Sequence, residues 1–456
     1  MSQDSIRLFG TDGIRGHFGE PPLDRPTVTA LAVQLAATLR ERGFAGNNGA
    51  PPRVVLGGDT RESSPKICRW LAAGLTAGGV DVRYAGVIPT PGVAYLARET
   101  GAAAGVVVSA SHNPYPDNGI KLLDPQGTKW SDEDELTLEN RLKAHPADVP
   151  DLPEPTVEPG LRELYLRHLA ATLPEGRPLD GLRVVLDAGN GAASTYAGKL
   201  FERLGARVTL LHAEPNGRNV NERCGSTAPG EMAARVVAEG ADLGAAFDGD
   251  ADRCILADEQ GAVRDGDAIL YLWATCLHRS GRLEPPKIVA TSMSNLGLER
   301  ALAAEGIGIV RCNVGDRYVV EAMRKEGILL GGEQSGHIVQ SHLASTGDGL
   351  LTAIQMAFVR HQDGRPLSEM LAPFRRYPQV LLNVRVKQKV DFKALPAVTT
   401  TARSVEERLG DDGRLVLRYS GTEPLARIMI EGPEQGAIDA LAEELAVAIR
   451  GELGAA

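Results

Sequence analysis

The chain has 456 residues, 43 % apolar and 24 % charged, a globular composition that excludes a disordered chain. Its 49 basic and 59 acidic residues leave a formal charge of −10, and only 4 % is aromatic. That argues against a nucleic-acid partner, which needs a basic face and stacking platforms, but allows a small anionic substrate in a local basic pocket.

Length alone suggests about three domains. Cys68, Cys224, Cys254, Cys276 and Cys312 lie far apart and form no CxxC pair. This points away from a zinc or disulfide framework and toward a reducing cytoplasm. The segment MSQDSIRLFG carries no signal pattern, and no apolar run approaches the 18 or so residues of a membrane span.

Along the chain, Thr27–Arg42 has apolar residues at helical spacing. Arg53–Gly57 is a buried-strand pattern, followed by a helix from Pro65 to Ala77 and strands at Asp81–Val87 and Gly105–Ser109. Ala144–Pro159 is rich in Pro and acid and reads as a linker. Strands recur at Leu182–Leu186, Ala206–Leu211, Asp242–Phe247, Lys287–Ala290 and Gly308–Cys312. This alternation predicts doubly wound α/β sheets with parallel strands. RVVLGGDTRESS from Arg53, RVVLDAGNGAAS from Arg183 and KIVATSMSN from Lys287 each read strand, polar turn, helix, which suggests three related units. Further breaks fall at Asp258–Gly266 and Pro373–Pro378. Beyond them, strands at Val380–Val386, Arg414–Tyr419 and Ala426–Glu431 with helices near Asp391–Leu409 and Glu434–Arg450 form a small α+β unit.

Five segments carry chemistry. Phe9-Gly-Thr-Asp-Gly-Ile-Arg15-Gly is Gly-rich with one arginine, but fits neither a P-loop nor a dinucleotide fingerprint. Ser109-Ala-Ser111-His112-Asn-Pro, then Asp117-Asn-Gly-Ile-Lys121, follows a strand directly, where open α/β sheets bind ligands. A hydroxyl beside a histidine there is a candidate nucleophile or phosphate carrier, or an ordinary turn. Asp248-Gly-Asp250-Ala-Asp252-Arg253 puts three carboxylates on one face of an extended segment, a hard-oxygen set suited to Mg²⁺ or Ca²⁺. An EF-hand is rejected, because Arg253 stands where the loop requires Gly and the flanks read as strands. Gly331-Gly-Glu333-Gln-Ser335-Gly-His337 groups an acid, a hydroxyl and an imidazole that can meet sugar hydroxyls, or is a tight hairpin. Arg418-Tyr-Ser420-Gly421-Thr422-Glu-Pro, with Arg427 beyond, offers two arginines and hydroxyls to an anion, or is a surface hairpin. Gly189-Asn-Gly191 reads as a structural turn.

In order and combination, FGTDGIRG, SASHNP with DNGIK, DGDADR, GGEQSGH and RYSGTEP resemble the α-D-phosphohexomutase superfamily over nearly the whole chain. Gln334 and the SGTEP loop resemble its glucosamine-phosphate branch; the phosphomannomutase/phosphoglucomutase branch is the alternative. A sugar phosphatase and a non-catalytic sugar-phosphate sensor are further alternatives. The resemblance implies three related mixed-sheet α/β domains and a smaller C-terminal α+β domain around a cleft, over residues 1–155, 156–258, 259–374 and 375–456. It implies a phosphoserine at Ser111 and one Mg²⁺ held by Asp248, Asp250, Asp252 and a phosphoryl oxygen on Ser111. Arg15, Lys121 and Arg253 would surround the transferred phosphoryl group. Lys121 and His337 would carry protons, and His112 would position. Glu333, Ser335 and His337 would bind the sugar; Arg418, Ser420, Gly421, Thr422 and Arg427 would bind its distal phosphate. The implied activity interconverts glucosamine 6-phosphate and 1-phosphate through a sugar 1,6-bisphosphate, which also acts as activator. That step feeds nucleotide-amino-sugar and cell-wall precursor synthesis in the cytoplasm. The expected partner is a small phosphosugar, with neither nucleic acid nor membrane, and a homodimer is compatible with the resemblance. Tyr419 stands where the resemblance leads one to expect a small residue or proline.

Overall fold

The computed structural model describes residues 8–10, 12–44, 50–144, 149–150, 152–420 and 423–454. The first sheet contains β1 (Phe9–Gly10), β2 (Gly13–His17), β3 (Arg53–Gly58), β4 (Asp81–Val87), β5 (Ala104–Val108) and β6 (Asp117–Leu123), in the order β1-β2-β6-β5-β3-β4. The second contains β7 (Arg183–Asp187), β8 (Arg207–Leu211), β9 (Leu243–Phe247), β10 (Cys254–Asp258) and β11 (Val263–Arg264), in the order β11-β10-β9-β7-β8. The third contains β12 (Lys287–Thr291), β13 (Gly308–Cys312), β14 (Leu330–Gly332) and β15 (Ile338–Gln340), in the order β13-β12-β14-β15.

One arrangement recurs three times. A first strand (β3, β7, β12) pairs in parallel with the next two strands in sequence, and the last of these pairs antiparallel with a fourth. The strands that open each unit are those whose sequences resemble one another. The sheets are mixed, where helix alternation alone predicts parallel strands. The reason is connection length. Only 8, 6 and 5 residues separate β5 from β6, β9 from β10 and β14 from β15. A parallel crossover needs about a dozen or more. These three hairpin tips are the segments that carry Ser111, the aspartate triplet and His337. β5 (AGVVV) and β9 (LGAAF) are buried throughout because helices cover both faces.

Two sequence breaks are structured. At Asp258–Gly266 the chain turns back, and β11 pairs with β10, so the second sheet ends at Arg264 and not at Asp258. The Asp258 carboxylate holds this turn, accepting from the Gln260 and Ala262 N–H groups at 3.0 and 2.9 Å and from Arg264 Nε at 2.8 Å. Within Ala144–Pro159, Val157 bridges to Tyr84, and Glu158 pairs with Arg83.

The fourth sheet is antiparallel: β16 (Gln379–Arg385), β17 (Arg414–Tyr419) and β18 (Leu425–Glu431), in the order β16-β18-β17, backed by the helices Pro396–Leu409 and Gln435–Leu453. One apolar core runs through all three α/β units, from Val55 through Tyr165 and Leu186 to Trp273. The fourth unit has its own core around Ile428 and Leu445. Its seam with the third unit is polar. Asn295 Nδ2 donates to Glu431 Oε1 at 3.0 Å, Tyr377 N–H donates to Asn295 Oδ1 at 2.9 Å, and Arg414 donates to Ser294 O at 2.8 Å. Asp267 anchors the seam by accepting the Asn295 N–H at 2.8 Å.

Burial, and then Asp265, push the Asp267 carboxyl from 3.8 up to about 7. The folded chain therefore holds a proton that the unfolded chain releases. The resulting stability is complete below about pH 4 and is lost as pH rises through about 7. Asp267→Asn removes that loss, so its thermal midpoint relative to the parent rises between pH 5 and pH 8. Melting curves with the same difference at both pH values would contradict this.

Candidate active site

Ser111 sits at the β5–β6 tip, 2 % exposed, with φ of 50°. A non-glycine residue in that left-handed region carries a strain of about 1–2 kcal/mol, so surrounding bonds must hold it. Its Oγ donates to Asp248 Oδ2 at 2.6 Å, across the junction of the first and second units. His112 is exposed, with Nδ1 3.4 Å from Ser111 Oγ. Desolvation, then Arg253 and Arg15, lower its pKa.

The β9–β10 tip carries the triplet. Asp248 and Asp250 are fully buried, and Asp252 is 6 % exposed. One oxygen from each lies within 4.8 Å of the others. Each like-charge pair at that spacing costs about 3–4 kcal/mol at an effective dielectric of about 20. Lys121 answers part of this charge, with Nζ 2.9 Å from Asp250 Oδ2, 3.5 Å from Asp252 Oδ2 and 3.1 Å from Asp12 Oδ2. Burial opposes its charge, but Asp12, Asp250 and Asp252 outweigh burial and hold Lys121 as an ammonium. Burial, then Asp252 and Asp250, raise the Asp248 pKa. At Asp252 burial is outweighed by Lys121 and His337, and the carboxyl stays ionised. Asp250 Oδ1 and Asp252 Oδ1 are buried with no hydrogen-bond partner. Two orphaned anionic oxygens beside a third carboxylate are the donor set of a hard divalent cation, so the site fits one.

The basic residues converge on the same place. Arg15 donates to Ser109 O at 3.0 Å and to Asp12 Oδ2 at 2.5 Å. It lies on β2, which pairs antiparallel with β6, so Arg15 and Gly119 are opposite partners. Arg253 Nε is buried without a hydrogen bond, 3.8 Å from Asp252 Oδ1.

The GGEQSGH segment is the β14–β15 hairpin. Gly336 has φ of 93°, and a Cβ there would lie 2.3 Å from Cys254 O, so only glycine lets this tip approach the hairpin that carries the aspartate triplet. Glu333 is 9 % exposed, and its Oε1 accepts the Gly315 N–H at 2.9 Å. Ser335 is exposed, with Oγ 3.3 Å from Glu333 Oε2. His337 departs from expectation. It is 2 % exposed; Nε2 accepts the Gly347 N–H at 3.1 Å, and Nδ1 faces Asp252 Oδ2 at 3.7 Å. The Gly347 bond requires a neutral ring protonated on Nδ1. Burial opposes a second proton, but Asp252 and the neighbouring carboxylates raise its pKa to about 9, a pull that a cation on the triplet would relieve. Nε2 is taken by the Gly347 N–H, while Nδ1 is turned toward Asp252 beyond hydrogen-bond reach, so the ring lies against the Asp252 carboxylate.

On the β17–β18 hairpin, Arg418 and Arg427 stand directly opposite each other. Like charges at such a pair are destabilising; Arg427 Nη2 meets Glu423 Oε2 at 3.3 Å, while its Nε is buried without a partner and is left for an anion. Ser420 is 3 % exposed and accepts the Glu423 N–H at 3.3 Å. Gly421 and Thr422 lie outside the described residues. Among the described residues, no hydrogen bond or ion pair joins this hairpin to Ser111 or the triplet. Tyr419 packs inside its own unit, stacked on Phe392 at 4.2 Å and donating to Val390 O at 2.6 Å.

Several site residues escaped sequence reasoning. Asp12, beside Arg15 in TDGIRG, ion-pairs with Lys121. Thr90 donates to Asp250 Oδ2 at 2.6 Å from a helix start more than 150 residues away, and nothing local marks it. The Gly189-Asn-Gly191 turn supports the aspartate hairpin, with the Ala192 N–H donating to Gly249 O at 2.8 Å.

A mixed-sheet protein with a serine poised on a buried carboxylate triplet defines a class of phosphoryl-transfer enzyme. The chain belongs to the phosphoglucomutase/phosphomannomutase family: residues 6–148, 163–261 and 265–377 match its alpha/beta/alpha domains I, II and III, and residues 381–448 match its C-terminal domain. It is 46 % identical over 450 residues to a phosphoglucosamine mutase of Solibacter usitatus, covering 98 % of this chain and 99 % of that one. A Burkholderia thailandensis phosphoglucomutase/phosphomannomutase family protein shares the fold with a TM-score of 0.80 at 23 % identity, over 98 % and 97 % of the two chains. The Aspergillus fumigatus N-acetylphosphoglucosamine mutase, solved with GlcNAc-6P and magnesium, shares it with a TM-score of 0.65 at 19 % identity, over 98 % and 96 %. Among the described residues, no helix is long and apolar enough to cross a membrane.

Asp250→Asn removes one orphaned oxygen and one charge. Calorimetric titration with Mg²⁺ is expected to show at least about tenfold weaker binding than the parent. Equal affinity would place the cation elsewhere.

Proposed function

We propose that this chain interconverts glucosamine 6-phosphate and glucosamine 1-phosphate through a phosphoserine at Ser111 and a sugar 1,6-bisphosphate. The observation that carries this reading is the Ser111 Oγ to Asp248 Oδ2 contact of 2.6 Å beside two orphaned carboxylate oxygens. The amino-sugar preference is supported by the 46 % identity to the Solibacter usitatus relative.

Asp248, Asp250 and Asp252 would hold one Mg²⁺, with a phosphoryl oxygen on Ser111 completing the set. When bound, that ion supplies charge neutralisation at the phosphoryl group. The charge balance is close. Three carboxylates, the Asp12 carboxylate that Arg15 and Lys121 also meet, and a phosphoserine of about −1.5 to −2 face +2 from the ion and +3 from Arg15, Lys121 and Arg253, within about one charge of neutral. Phosphoryl transfer depends mainly on such positioning and charge compensation.

In the first half-reaction the sugar O1 attacks phosphorus, and the bond from phosphorus to Ser111 Oγ breaks. Lys121, held as an ammonium, gives Oγ its proton. The resulting amine takes the proton of the sugar hydroxyl, so protons balance. The bisphosphate turns over, Ser111 Oγ attacks the phosphorus at position 6, and the bond from that phosphorus to O6 breaks. Lys121 gives a proton to O6 and as the amine takes the Oγ proton, and the 1-phosphate is released. Glu333 and Ser335 orient the sugar hydroxyls. His337 lies against Asp252, and His112 positions at the mouth. Arg418, Ser420, Gly421, Thr422 and Arg427 take whichever phosphate is distal. The polar seam at Asn295 and Glu431 suits a unit that must meet both orientations. All five cysteines are free, which supports a cytoplasmic setting.

Ser111→Ala is expected to lose at least about 10³-fold in isomerisation primed with bisphosphate. Parent protein assayed on glucosamine, glucose and mannose phosphates is expected to turn over the amino sugar fastest. Faster glucose or mannose turnover would reassign the substrate, and net phosphate release exceeding isomerisation would make the chain a phosphatase.

A further inference from the structure

Arg61 is the largest fully buried side chain in the described structure, and neither the motifs nor the proposed chemistry uses it. It follows β3, in Asp59-Thr-Arg61. Its five N–H donors are all engaged. Nε meets Asp59 Oδ2 at 2.8 Å. Nη1 meets Pro114 O, and also Asp117 O at 2.9 Å. Nη2 meets Ser111 O at 2.9 Å and Asn113 O at 2.8 Å. One guanidinium thus gathers four carbonyls of the loop that carries Ser111.

The Asp59 carboxylate is equally saturated. Oδ1 accepts the Arg61 N–H at 3.0 Å and Ser64 Oγ at 2.8 Å. Oδ2 also accepts Ser109 Oγ at 2.6 Å. Ser109 Oγ in turn accepts the Ser111 N–H at 2.9 Å. A continuous chain of buried bonds therefore grips Ser111 at both its C=O and its N–H. From the second unit, Asn221 Nδ2 adds bonds to the same Ser111 and Asn113 carbonyls at 2.9 and 3.3 Å.

We infer that Arg61 is the positioning residue of the transfer step, holding Ser111 in its left-handed conformation with Asn221 as a second clamp from the second unit. The loop's carbonyls are turned inward onto cations and amides, so they do not face an incoming phosphoryl group. Its oxygens would otherwise repel that dianion. The left-handed strain at Ser111 is sustained because the bonds around it are complete. Lysine cannot substitute, since three donors on a point charge leave carbonyls unpaired.

This inference rests on the phosphoserine reading above, and the test separates the two. Parent, Arg61→Lys and Asn221→Ala proteins are purified with Mg²⁺, and their Ser111 phosphorylation is counted by intact mass. Rates are expressed per phosphorylated, folded molecule. Arg61→Lys is expected to lose about 10²-fold in kcat with KM changed less than about threefold. Its ratio of phosphate released to sugar isomerised rises, because a loosened phosphoserine is more open to water. Asn221→Ala, whose side chain is half-buried and packs from the other unit, moves both readouts the same way by a smaller factor. A merely structural role would reduce the folded fraction and leave kcat per phosphorylated molecule and the release ratio unchanged, which would overturn the inference. If Arg61→Lys does not fold, an unchanged kcat and ratio in Asn221→Ala overturns it alone. If the parent carries no phosphoserine and does not isomerise, the underlying reading falls instead.

Discussion

Four groups that water would normally solvate are buried together where the first two units meet: three carboxylates and the hydroxyl of Ser111. Taking a carboxylate out of water costs several kcal/mol, and placing two more beside it multiplies the cost. The structure responds with Lys121 inside the cluster, Arg15 and Arg253 at its border, and a geometry that leaves two oxygens for a divalent cation. The surrounding fold can be understood as the means of holding that charge in place. Each of three sheets contributes one short hairpin, and each hairpin contributes one part: the hydroxyl, the carboxylates, or the imidazole beside Asp252.

This arrangement explains why three units share a continuous core while the fourth has its own. Displacing the hydroxyl from Asp248 by even an ångström would break the 2.6 Å contact, so the first two units cannot shift independently. The apolar core from Val55 to Trp273 resists such movement. The role proposed for the fourth unit, gripping a sugar phosphate in either orientation, calls for the opposite. Its contact with the third unit is a set of hydrogen bonds through Asn295, Arg414 and Glu431, which can exchange for water at modest cost.

Much of the site was legible because its chemistry is local in sequence. Asp248, Asp250 and Asp252 alternate along five residues, and the order of the motif loops carried the family resemblance. The three strand openings at Arg53, Arg183 and Lys287 also announced the repeat. What stayed hidden depends on pairing across long separations. Arg61 and Ser111 are 50 residues apart, and Thr90 and Asp250 are 160 apart. One local signal was available for Arg61: an Asp and an Arg two positions apart, directly after a buried strand, must satisfy each other or a loop. Asp12 could have been found by asking what balances Lys121. The role expected of His337 changed because its sequence position reveals an imidazole but not the Gly347 N–H that occupies it. Apart from the family resemblance, which implied mixed sheets, antiparallel pairing was readable from the shortness of the motif loops.

The central claim is that Ser111 carries the phosphoryl group that the sugar exchanges. It can be tested by giving the phosphorylated protein glucosamine 6-phosphate labelled with ³²P, quenching within the first turnover, and mapping the peptides. The account predicts label on the peptide containing Ser111, appearing as unlabelled phosphate arrives at position 1 of the sugar. Label retained wholly on the sugar during isomerisation, or found on any other residue, would contradict it.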